Sequence, residues 1–284
     1  MKIKQITDRH ENYPKLLTEI ASPPKKLFYI GKLPADQPCV AIVGSRKATA
    51  YGRQVTEQLA GELAACGIII ISGLALGIDA IAHRAAVASG GRSLAVMGCG
   101  LDQIYPASNR GLAKQMLAQG GGLISEYEAG TPPLKHHFPA RNRIITGLSL
   151  AVVITEAAAH SGALITANFA LEQNRLVMAV PGNTTSKSSE GANNLLKAGA
   201  MAVTEARDVL NALDLEVPEL KAKIARPASK EEALILDLLA QEITDSEELI
   251  VKSGWDAVKF NQVISLMELS GKVRNLGGGK WISR

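Results

Sequence analysis

The sequence predicts an α/β fold: an extended Rossmann-like, mostly parallel sheet followed by a small C-terminal winged-helix domain. Apolar runs such as residues 39–43 and 68–71 alternate with helical patterns of 10–15 residues, which indicates βαβ units. From about residue 230 the pattern changes to three helices followed by a hairpin with a glycine turn. That order is typical of a winged helix-turn-helix arrangement.

The composition favours a protein of the cytoplasm. Of the 284 residues, 46% are hydrophobic but only 4% are aromatic, so small aliphatic side chains must fill the core. Three cysteines without metal-ligand spacing are expected to be core residues in a reducing compartment: Cys39, Cys66 and Cys99. No signal-peptide core and no run of 18 apolar residues occur, so we expect neither secretion nor membrane insertion.

The predicted elements follow one another in a regular order. Residues 1–37 form a short extension with one strand at about residues 27–30. The Rossmann-like domain, residues 38–214, has strands at residues 39–43, 68–71, 93–97, 122–124, 150–154, 176–180 and 200–203. Helices are predicted at about residues 51–65, up to 88, at 109–118, from Ser161 onward and at 205–213. Prolines and charge mark residues 215–228 as a linker before the winged-helix domain, residues 229–284.

Glycine-rich turns follow several of the predicted strands. They are Gly44-Ser45-Arg46, Ser72-Gly73, Gly98-Cys99-Gly100 and Ser161-Gly162. In parallel sheets ligands bind beyond the carboxyl ends of the strands, near the point where the strand order reverses. We therefore expect these turns to converge on one edge of the sheet.

The first of these turns favours phosphate over a dinucleotide cofactor. It lacks the G-x-G-x-x-G spacing of the dinucleotide fingerprint, and Arg46 and Lys47 occupy it instead. Two interpretations stay open: a contact with the phosphates of a nucleic-acid strand, and a tight βα turn with an exposed arginine. No cofactor is expected.

A basic segment with one phenylalanine is the most informative cluster in the chain. Arginine binds phosphate bidentately and a phenylalanine ring stacks on bases, so the segment predicts a site for a polyanion with flat faces: Lys135, Phe138, Arg141, Asn142 and Arg143. The alternative is that Phe138 plugs the core and the arginines pair with Glu126 or Glu128. The adjacent histidines, 136 and 137, lack a third ligand at metal spacing, so no metal is expected.

The second half of the proposed site is a helix N-terminus. Ser161 and Gly162, with Thr166 one turn later, open a helix rich in Ala and Leu. The unpaired N–H groups and the positive end of the dipole at a helix N-terminus favour an anion. We therefore place these three residues in the same nucleic-acid site.

Several acidic residues could instead indicate catalysis. Asp79 and His83 lie one turn apart, and here a structural role is favoured: Asp79 as a helix cap that pairs with His83. A hydrolase needs carboxylates with separated pKa values, and strand ends offer Asp102, Glu126 and Glu156. An acid near basic loops is more often an arginine partner.

The winged helix suggests duplex DNA, but its charge argues against strong duplex binding. Residues 226–284 carry eight Lys and Arg against nine Asp and Glu, a net charge of −1. The third helix has only Asp256, Lys259 and Glu268 as charges, and phosphate contacts dominate nucleic-acid affinity. Basic residues in the hairpin keep the possibility open: Lys272, Arg274 and Lys280.

Together these signatures resemble the DNA-processing protein A (DprA/Smf) family. The matching motifs are VGSR (43–46), SGLALGIDAIAH (72–83), GCGLDQIYP (98–106), ISEY (124–127), FPARNRII (138–145), TEAAAHSGALITA (155–167) and AVPGN (179–183). The resemblance implies a homodimer that binds single-stranded DNA without catalysis, protects incoming strands during natural transformation and helps to load the RecA recombinase.

The family's strand-binding pocket would fall on residues already singled out here. They are Gly44, Ser45, Arg46, Lys135, Phe138, Arg141, Asn142, Arg143, Ser161 and Gly162. One departure is Leu76, where the family pattern leads us to expect an arginine. An alternative resemblance is to nucleotide phosphoribohydrolases of the lysine-decarboxylase-like group. Their PGG-x-GT-x-x-E signature is incomplete here, because residues 159–166 lack the paired glycines and Phe169 replaces the acid.

Overall fold

The computed structural model describes residues 2–34, 37–215, 229–241 and 243–283. The chain folds into two compact units, Met1–Pro218 and Glu219–Arg284. The predicted linker lies outside the described residues from position 216 onward. No helix in the described ranges is both long enough and apolar enough to cross a bilayer.

The first unit alternates strands and helices along the chain. Its strands are β1 (Lys4–Thr7), β2 (Lys26–Gly31), β3 (Cys39–Gly44), β4 (Ile69–Ser72), β5 (Ser93–Met97), β6 (Gly122–Ser125), β7 (Ala151–Glu156), β8 (Leu176–Ala179) and β9 (Met201–Ala202). Its helices are α1 (Lys15–Thr18), α2 (Ala50–Ala65), α3 (Ile78–Ala88), α4 (Arg110–Ala118), α5 (His137–Gly147), α6 (Gly162–Glu172), α7 (Glu190–Lys197) and α8 (Ala206–Ala212). The predicted strands and helices are all present within a few residues.

Four elements escape the sequence pattern: β1, α1, α5 and α7. Strand β1 is mostly polar and buries only Ile6, so it has no alternating apolar pattern, and its antiparallel pairing with β2 decides its conformation. Helix α7 has only eight residues and packs against the core through Leu195 and Leu196, which stay partly exposed. In both cases the contacts that stabilise the element come from distant parts of the chain.

The nine strands form one sheet in the order β1-β2-β6-β5-β4-β3-β7-β8-β9. All pairs from β6 to β9 in this order are parallel, whereas β1–β2 and β2–β6 are antiparallel. The predicted mostly parallel sheet is confirmed. The order runs in one direction from β3 to β6 and in the other from β7 to β9. The carboxyl ends of β3 and β7 are therefore the topological switch point.

Helices cover both faces of the sheet, and the core lies on both sides of it. In β3, Ala41 and Val43 pack into one cluster and Val40 and Ile42 into the other, because side chains alternate along a strand. Two-sided burial explains why the central strands are continuous apolar runs.

The second unit has the predicted winged-helix order. Its elements are α9 (Lys230–Ala240), α10 (Ser246–Ser253), α11 (Ala257–Leu269), β10 (Val273–Gly277) and β11 (Lys280–Ser283). The side chains of Asp245 and Asp256 cap the second and third helices. Gly254 ends α10 in the left-handed region, at φ 69°. Phe260, fully buried, lies in the core of this unit.

We expect Phe260→Ala to destabilise the second unit selectively. Removing a buried phenylalanine costs about 3–5 kcal/mol through lost burial and the cavity left behind. The only tryptophans of the chain, Trp255 and Trp281, both lie in this unit, so their fluorescence reports its unfolding alone. In a urea titration, Phe260→Ala should lower the urea concentration at the midpoint of the fluorescence transition. Val258→Ala, at an exposed site on the same helix, should change that midpoint little. If the midpoint of Phe260→Ala is unchanged, Phe260 does not pack in the core of this unit as the structure shows.

Candidate functional site

A crevice at the switch point brings the glycine-rich turns together. The turn after β3 and the segment after β7 that leads into α6 flank a cavity of about 250 Å³. Gly44, Ala75 and Ser161 contribute to its wall, and Gly98 lies beneath the ring of Phe138, another wall residue. The predicted convergence on one sheet edge is confirmed.

The cavity brings together nine of the twelve residues predicted for the site. They are Gly44, Arg46, Lys135, Phe138, Arg141, Asn142, Ser161, Gly162 and Thr166. Ser45, Lys47 and Arg143 are not in this wall. The cationic side chains of the wall are Arg46, Lys135 and Arg141, and its one carboxylate among the described residues is Asp79. The cavity is therefore positively charged.

Helix α5 decides which part of the basic segment faces the cavity. Phe138, Arg141, Asn142 and Ile145 stand at positions i, i+3, i+4 and i+7 and all contribute to the wall. Residues at this spacing share one face of a helix. Pro139 is tolerated because it lies in the first helical turn, where backbone N–H groups have no intrahelical partner. Arg143 points away from this face.

Arg141 is buried at the base of the cavity, where it joins α5 to the ends of two strands through hydrogen bonds. Its side chain is only 4% exposed, and Nη1 donates to the carbonyl oxygens of Val96 and, at 2.8 Å, of Gly73. Its Nε donates to Asn142 Oδ1 at 3.0 Å. A Cβ on Gly73 would lie 2.0 Å from Arg141 Nη2, so a larger residue there would displace the guanidinium. Because its donors are used within the fold, this geometry disfavours the predicted role of Arg141 as a phosphate contact.

Asp79 is the buried anion whose charge opposes that of Arg141. Its carboxylate accepts from the N–H groups of Gly73, at 3.1 Å, and Ala75, at 3.4 Å. Burial raises the pKa of Asp79, and the positive charge of Arg141 opposes that shift. Burial likewise lowers the pKa of Arg141, and Asp79 opposes it. Each charge thus reduces the cost of burying the other.

Arg143 has a different partner, in agreement with the alternative interpretation of the basic segment. Its Nη2 donates to Glu126 Oε1 at 2.5 Å, and both side chains are mostly buried. The guanidinium of Arg143 is therefore paired with a carboxylate at the end of β6. Its predicted role in nucleic-acid binding has no support from this placement.

Arg46 presents an exposed guanidinium from a fixed turn. The N–H of Ser45 donates to Glu156 O at 2.7 Å, and Ser45 O accepts from Ile78 N at 3.1 Å. Gly77, at φ 77°, lies so close that a Cβ would be 2.2 Å from Ser45 O. The Cζ atom of Arg46 is 5.8 Å from the centre of the Phe138 ring. The guanidinium of Arg46 thus lies over the aromatic ring of Phe138.

Phe138 is held from below and is not a core plug. Its ring packs over Gly98, where an added Cβ would be 3.0 Å from Cδ1. The ring is partly buried and contacts Tyr105, with ring centres 5.5 Å apart. Tyr105 was not anticipated from the sequence, although it lies near the end of the glycine-rich GCGLDQIYP turn and so belongs to the same sheet edge.

The N-terminus of α6 closes the cavity on the side of β7. Ser161 caps the helix, its Oγ accepting from Ala163 N at 3.3 Å. Gly162 is exposed, and nothing lies within 4 Å of where its Cβ would be. Thr166 is buried in the wall one turn later. The first turn of an 11-residue helix thus points its dipole at the crevice.

A second, shallower cavity of about 390 Å³ adjoins the first across Arg46 and Ser161. Its other wall residues include Ser45, His160, Lys187 and Glu190. Lys187 was not anticipated from the sequence, but it follows β8 and hence lies at the same sheet edge. Leu76, the departure from the family pattern, is exposed and lies in neither wall.

The other titratable candidates have structural partners. Asp79 and His83 do not pair as expected, because Asp79 accepts from loop amides and His83 Nδ1 hydrogen bonds Ser93 Oγ at 2.6 Å. Of the strand-end acids, Asp102 accepts from Gly130 N at 2.8 Å and Glu156 accepts from Thr49 N at 3.0 Å.

The two adjacent histidines do not form a metal site with their surroundings. His137 is buried and stacks on Tyr127, with ring centres 3.9 Å apart, while its Nδ1 contacts Gly98 O at 3.2 Å. In the described ranges no group of three His, Cys, Asp or Glu side chains is arranged to hold a metal ion.

Comparisons with known proteins agree on one family. The model of the family "DNA recombination-mediator protein A" matches residues 4–214, and that of the "DprA winged helix domain" matches residues 219–279. Protein Smf of Escherichia coli is 38% identical over 280 residues, 95% of this chain and 74% of that protein. Protein Smf of Synechocystis is 44% identical over 213 residues, 73% of this chain. The matched part is 53% of the Synechocystis protein, so this chain corresponds to about half of it.

Two solved structures are similar to this chain over most of its length. DNA processing protein A from Streptococcus pneumoniae has 41% identity and a TM-score of 0.69, covering 76% of each chain. DNA processing protein A from Helicobacter pylori has 34% identity and a TM-score of 0.67, covering 76% of this chain and 98% of that one. The Helicobacter pylori structure concerns the unique single-stranded DNA binding mode of that protein.

We expect His83 to make folding sensitive to acid. Burial, with the charges of Arg141 and Arg84, lowers the pKa of His83 from its ordinary 6.5 to about 3. Between these values the unfolded chain binds a proton that the folded protein does not, so stability falls as the pH falls from 6.5 towards 3. The slope contributed by His83 is at most about 1.4 kcal/mol per pH unit.

Urea titrations at a series of pH values measure this slope. His83→Gln should remove it, whereas His160→Gln, at an exposed site, should leave it unchanged. If the wild-type protein and His83→Gln lose stability in parallel below pH 6.5, the assignment to His83 is wrong.

Proposed function

This chain belongs to the DNA recombination-mediator protein A family, and on that basis we propose that it binds single-stranded DNA, without catalysis, in the crevice at the switch point. The contacts are proposed to come from the predicted residues that remain accessible there. Arg46 and Lys135 bind phosphates, Phe138 stacks on a base, and the N-terminus of α6 at Ser161 and Gly162 binds a further phosphate.

The observation that carries the proposal is the pair formed by Arg46 and Phe138. An exposed guanidinium lies 5.8 Å from an aromatic ring in a positively charged cavity, so one element recognises the backbone and the other a base face. Stacking and phosphate contacts do not distinguish base sequences. A base must also leave a duplex stack to lie on a ring, which favours single strands.

The Helicobacter pylori relative supports the ligand class. Its structure concerns a mode of binding single-stranded DNA, and it is 34% identical to this chain with a TM-score of 0.67. Asp79 argues against the alternative of nucleotide hydrolysis, because it is buried, two loop amides donate to its Oδ2 atom and the positive charge of Arg141 lies nearby. A general acid–base pair needs a carboxylate that reaches the substrate.

The contacts inside the second unit disfavour strong duplex binding. Lys259 of α11 lies 3.8 Å from Glu231 and 5.0 Å from the centre of the Trp255 ring. In the hairpin, Lys272 pairs with Glu232. Since phosphate neutralisation provides most duplex affinity, a unit in which two of the lysines already have acidic neighbours is poorly suited to it. We propose that the first unit is the DNA-binding unit.

The finer features of the family are also proposed for this chain. They are a homodimeric state, protection of incoming DNA in the cytoplasm during natural transformation, and loading of RecA. Strand β9 is an edge of the sheet with Met201 45% exposed, which leaves an apolar surface for a second copy to cover. Sedimentation of the protein tests the homodimeric state, and RecA filament assembly on coated single strands tests RecA loading.

We expect single-stranded DNA to bind more tightly than duplex DNA of the same sequence. The reason is that bases reach the Phe138 ring only when they are unstacked. A competition titration with strands of several sequences should show weak dependence on base composition. Equal affinity for single strand and duplex would refute the proposal, as would release of free base from nucleoside monophosphates.

Arg46→Ala and Phe138→Ala should weaken single-strand binding in different ways. Loss of one phosphate contact lowers the slope of log affinity against log salt by about 0.7, because fewer counterions are released. Loss of the ring should cost about 1–3 kcal/mol of binding free energy with little change in that slope. Titrations at several salt concentrations separate the two effects.

Two further arginines serve as controls in these titrations. Arg207→Ala removes an exposed charge on α8, outside both cavities, and should alter neither affinity nor slope. Arg141→Ala should instead destabilise folding by about 3–5 kcal/mol, because it leaves the buried Asp79 without its counter-charge. If Arg46→Ala folds normally and keeps the wild-type affinity and slope, Arg46 is not a phosphate contact.

A further inference from the structure

Tyr105 is an aromatic side chain at the crevice that belongs to the GCGLDQIYP motif but not to the cavity wall. It lies in the loop after β5, at the carboxyl edge of the sheet, and it is 48% exposed. Its ring is 5.5 Å from that of Phe138, at an interplanar angle of 34°. The exposed ring thus continues the aromatic surface that Phe138 begins.

The other four tyrosines have a structural contact for the ring or the hydroxyl, and for Tyr29 it is Lys4 Nζ, which lies over its ring. Tyr13 and Tyr51 donate their hydroxyls to Pro24 O and Pro181 O, and the ring of Tyr127 stacks on His137. The hydroxyl of Tyr105 forms no hydrogen bond with any residue that the structure describes. Because a tyrosine carries a large apolar ring, leaving half of it exposed beside a ligand site favours a contact with the ligand.

We propose that Tyr105 is a second base-stacking platform, so that neighbouring bases of one single strand lie on Phe138 and on Tyr105. This inference rests on the proposed function. The two rings contact each other, so no base fits between them, and each offers its exposed surface to a base of its own. Packing against Phe138 also fixes the Tyr105 ring, which reduces the entropy lost on binding.

The spacing of the rings adds selectivity for single strands. Consecutive bases of one strand in a duplex are about 3.4 Å apart along the helix axis. Rings whose centres are 5.5 Å apart and tilted by 34° do not match that spacing. Bases that rest on both rings are spread apart and partly unstacked, and only a flexible single strand adopts that arrangement at little cost.

Three substitutions at Tyr105 test the proposal in the full-length protein with a fluorescently labelled oligothymidine. Tyr105→Ala should weaken binding by about 5- to 150-fold, the factor that corresponds to one stacked base, without changing the salt slope. Tyr105→Phe keeps the ring and should bind within about twofold of the wild-type protein. The control Tyr51→Ala removes a ring of similar exposure, 47%, outside the main cavity and should leave binding unchanged.

Combining substitutions separates a direct contact from a positioning role. If Tyr105 only orients Phe138, Tyr105→Ala has no further effect in a Phe138→Ala background. A direct contact retains most of its effect there. A third variant, Tyr105→Trp, places an indole at the site, and its emission should be quenched by the oligonucleotide. The native tryptophans both lie in the second unit, so the emission of the wild-type protein provides the baseline.

The outcomes distinguish this inference from the function on which it rests. If the wild-type protein binds no single-stranded DNA, both the proposed function and the role of Tyr105 are wrong. A wild-type protein that binds, with Tyr105→Ala folded and within twofold of its affinity, overturns the role of Tyr105 alone. Loss of the effect in the Phe138→Ala background, or unquenched emission from Tyr105→Trp, overturns it as well.

Discussion

The buried contact between Arg141 and the loop around Gly73 is the constraint on which the site depends. Arg141 binds the carbonyl oxygens that follow β4 and end β5, while Asp79 binds the N–H groups of the same loop. A charged pair in this position joins α5, α3 and two strand ends at one point. Because an unpaired charge there is costly, the pair permits little displacement, and α5 has a defined orientation over the sheet edge.

In that orientation some of the cations near α5 are buried in structural contacts, and others remain exposed to a ligand. Arg141 and Arg143 satisfy carbonyl oxygens and a carboxylate, whereas Arg46 and Lys135 remain exposed at the cavity. Exposed cations bind and release phosphate without disturbing the fold, and buried ones do not. The crevice therefore combines a rigid base with an accessible positive rim, which suits a ligand that must be held without being altered.

The aromatic groups are likewise supported from below. Phe138 is carried by α5 and lies against Gly98, and Tyr105 lies against Phe138. A ring fixed by its neighbours loses little entropy when a base stacks on it. With only 4% aromatic residues in the whole chain, two contacting rings beside a cation are an unusual local concentration. Their place at the switch point agrees with the general rule for ligand sites in open α/β sheets.

Local sequence patterns were sufficient to predict the alternation of strands and helices, the parallel sheet, the winged helix and the edge at which the glycine turns meet. The patterns concerned are apolar runs for strands buried on both faces, and glycines where strands end. They also singled out the basic segment around Phe138. The family resemblance in the same motifs agrees with the matching family models.

Which residues of that segment face the ligand is a result of tertiary contacts. Helix α5 has little hydrophobic periodicity and contains a proline in its first turn, so its pattern does not indicate a helix. Once it is helical, the 3.6-residue period places Phe138, Arg141 and Asn142 on the cavity face and turns Arg143 towards Glu126. The burial of Arg141 and the approach of Tyr105 arise from contacts between distant segments, and local sequence patterns contain no information on such contacts.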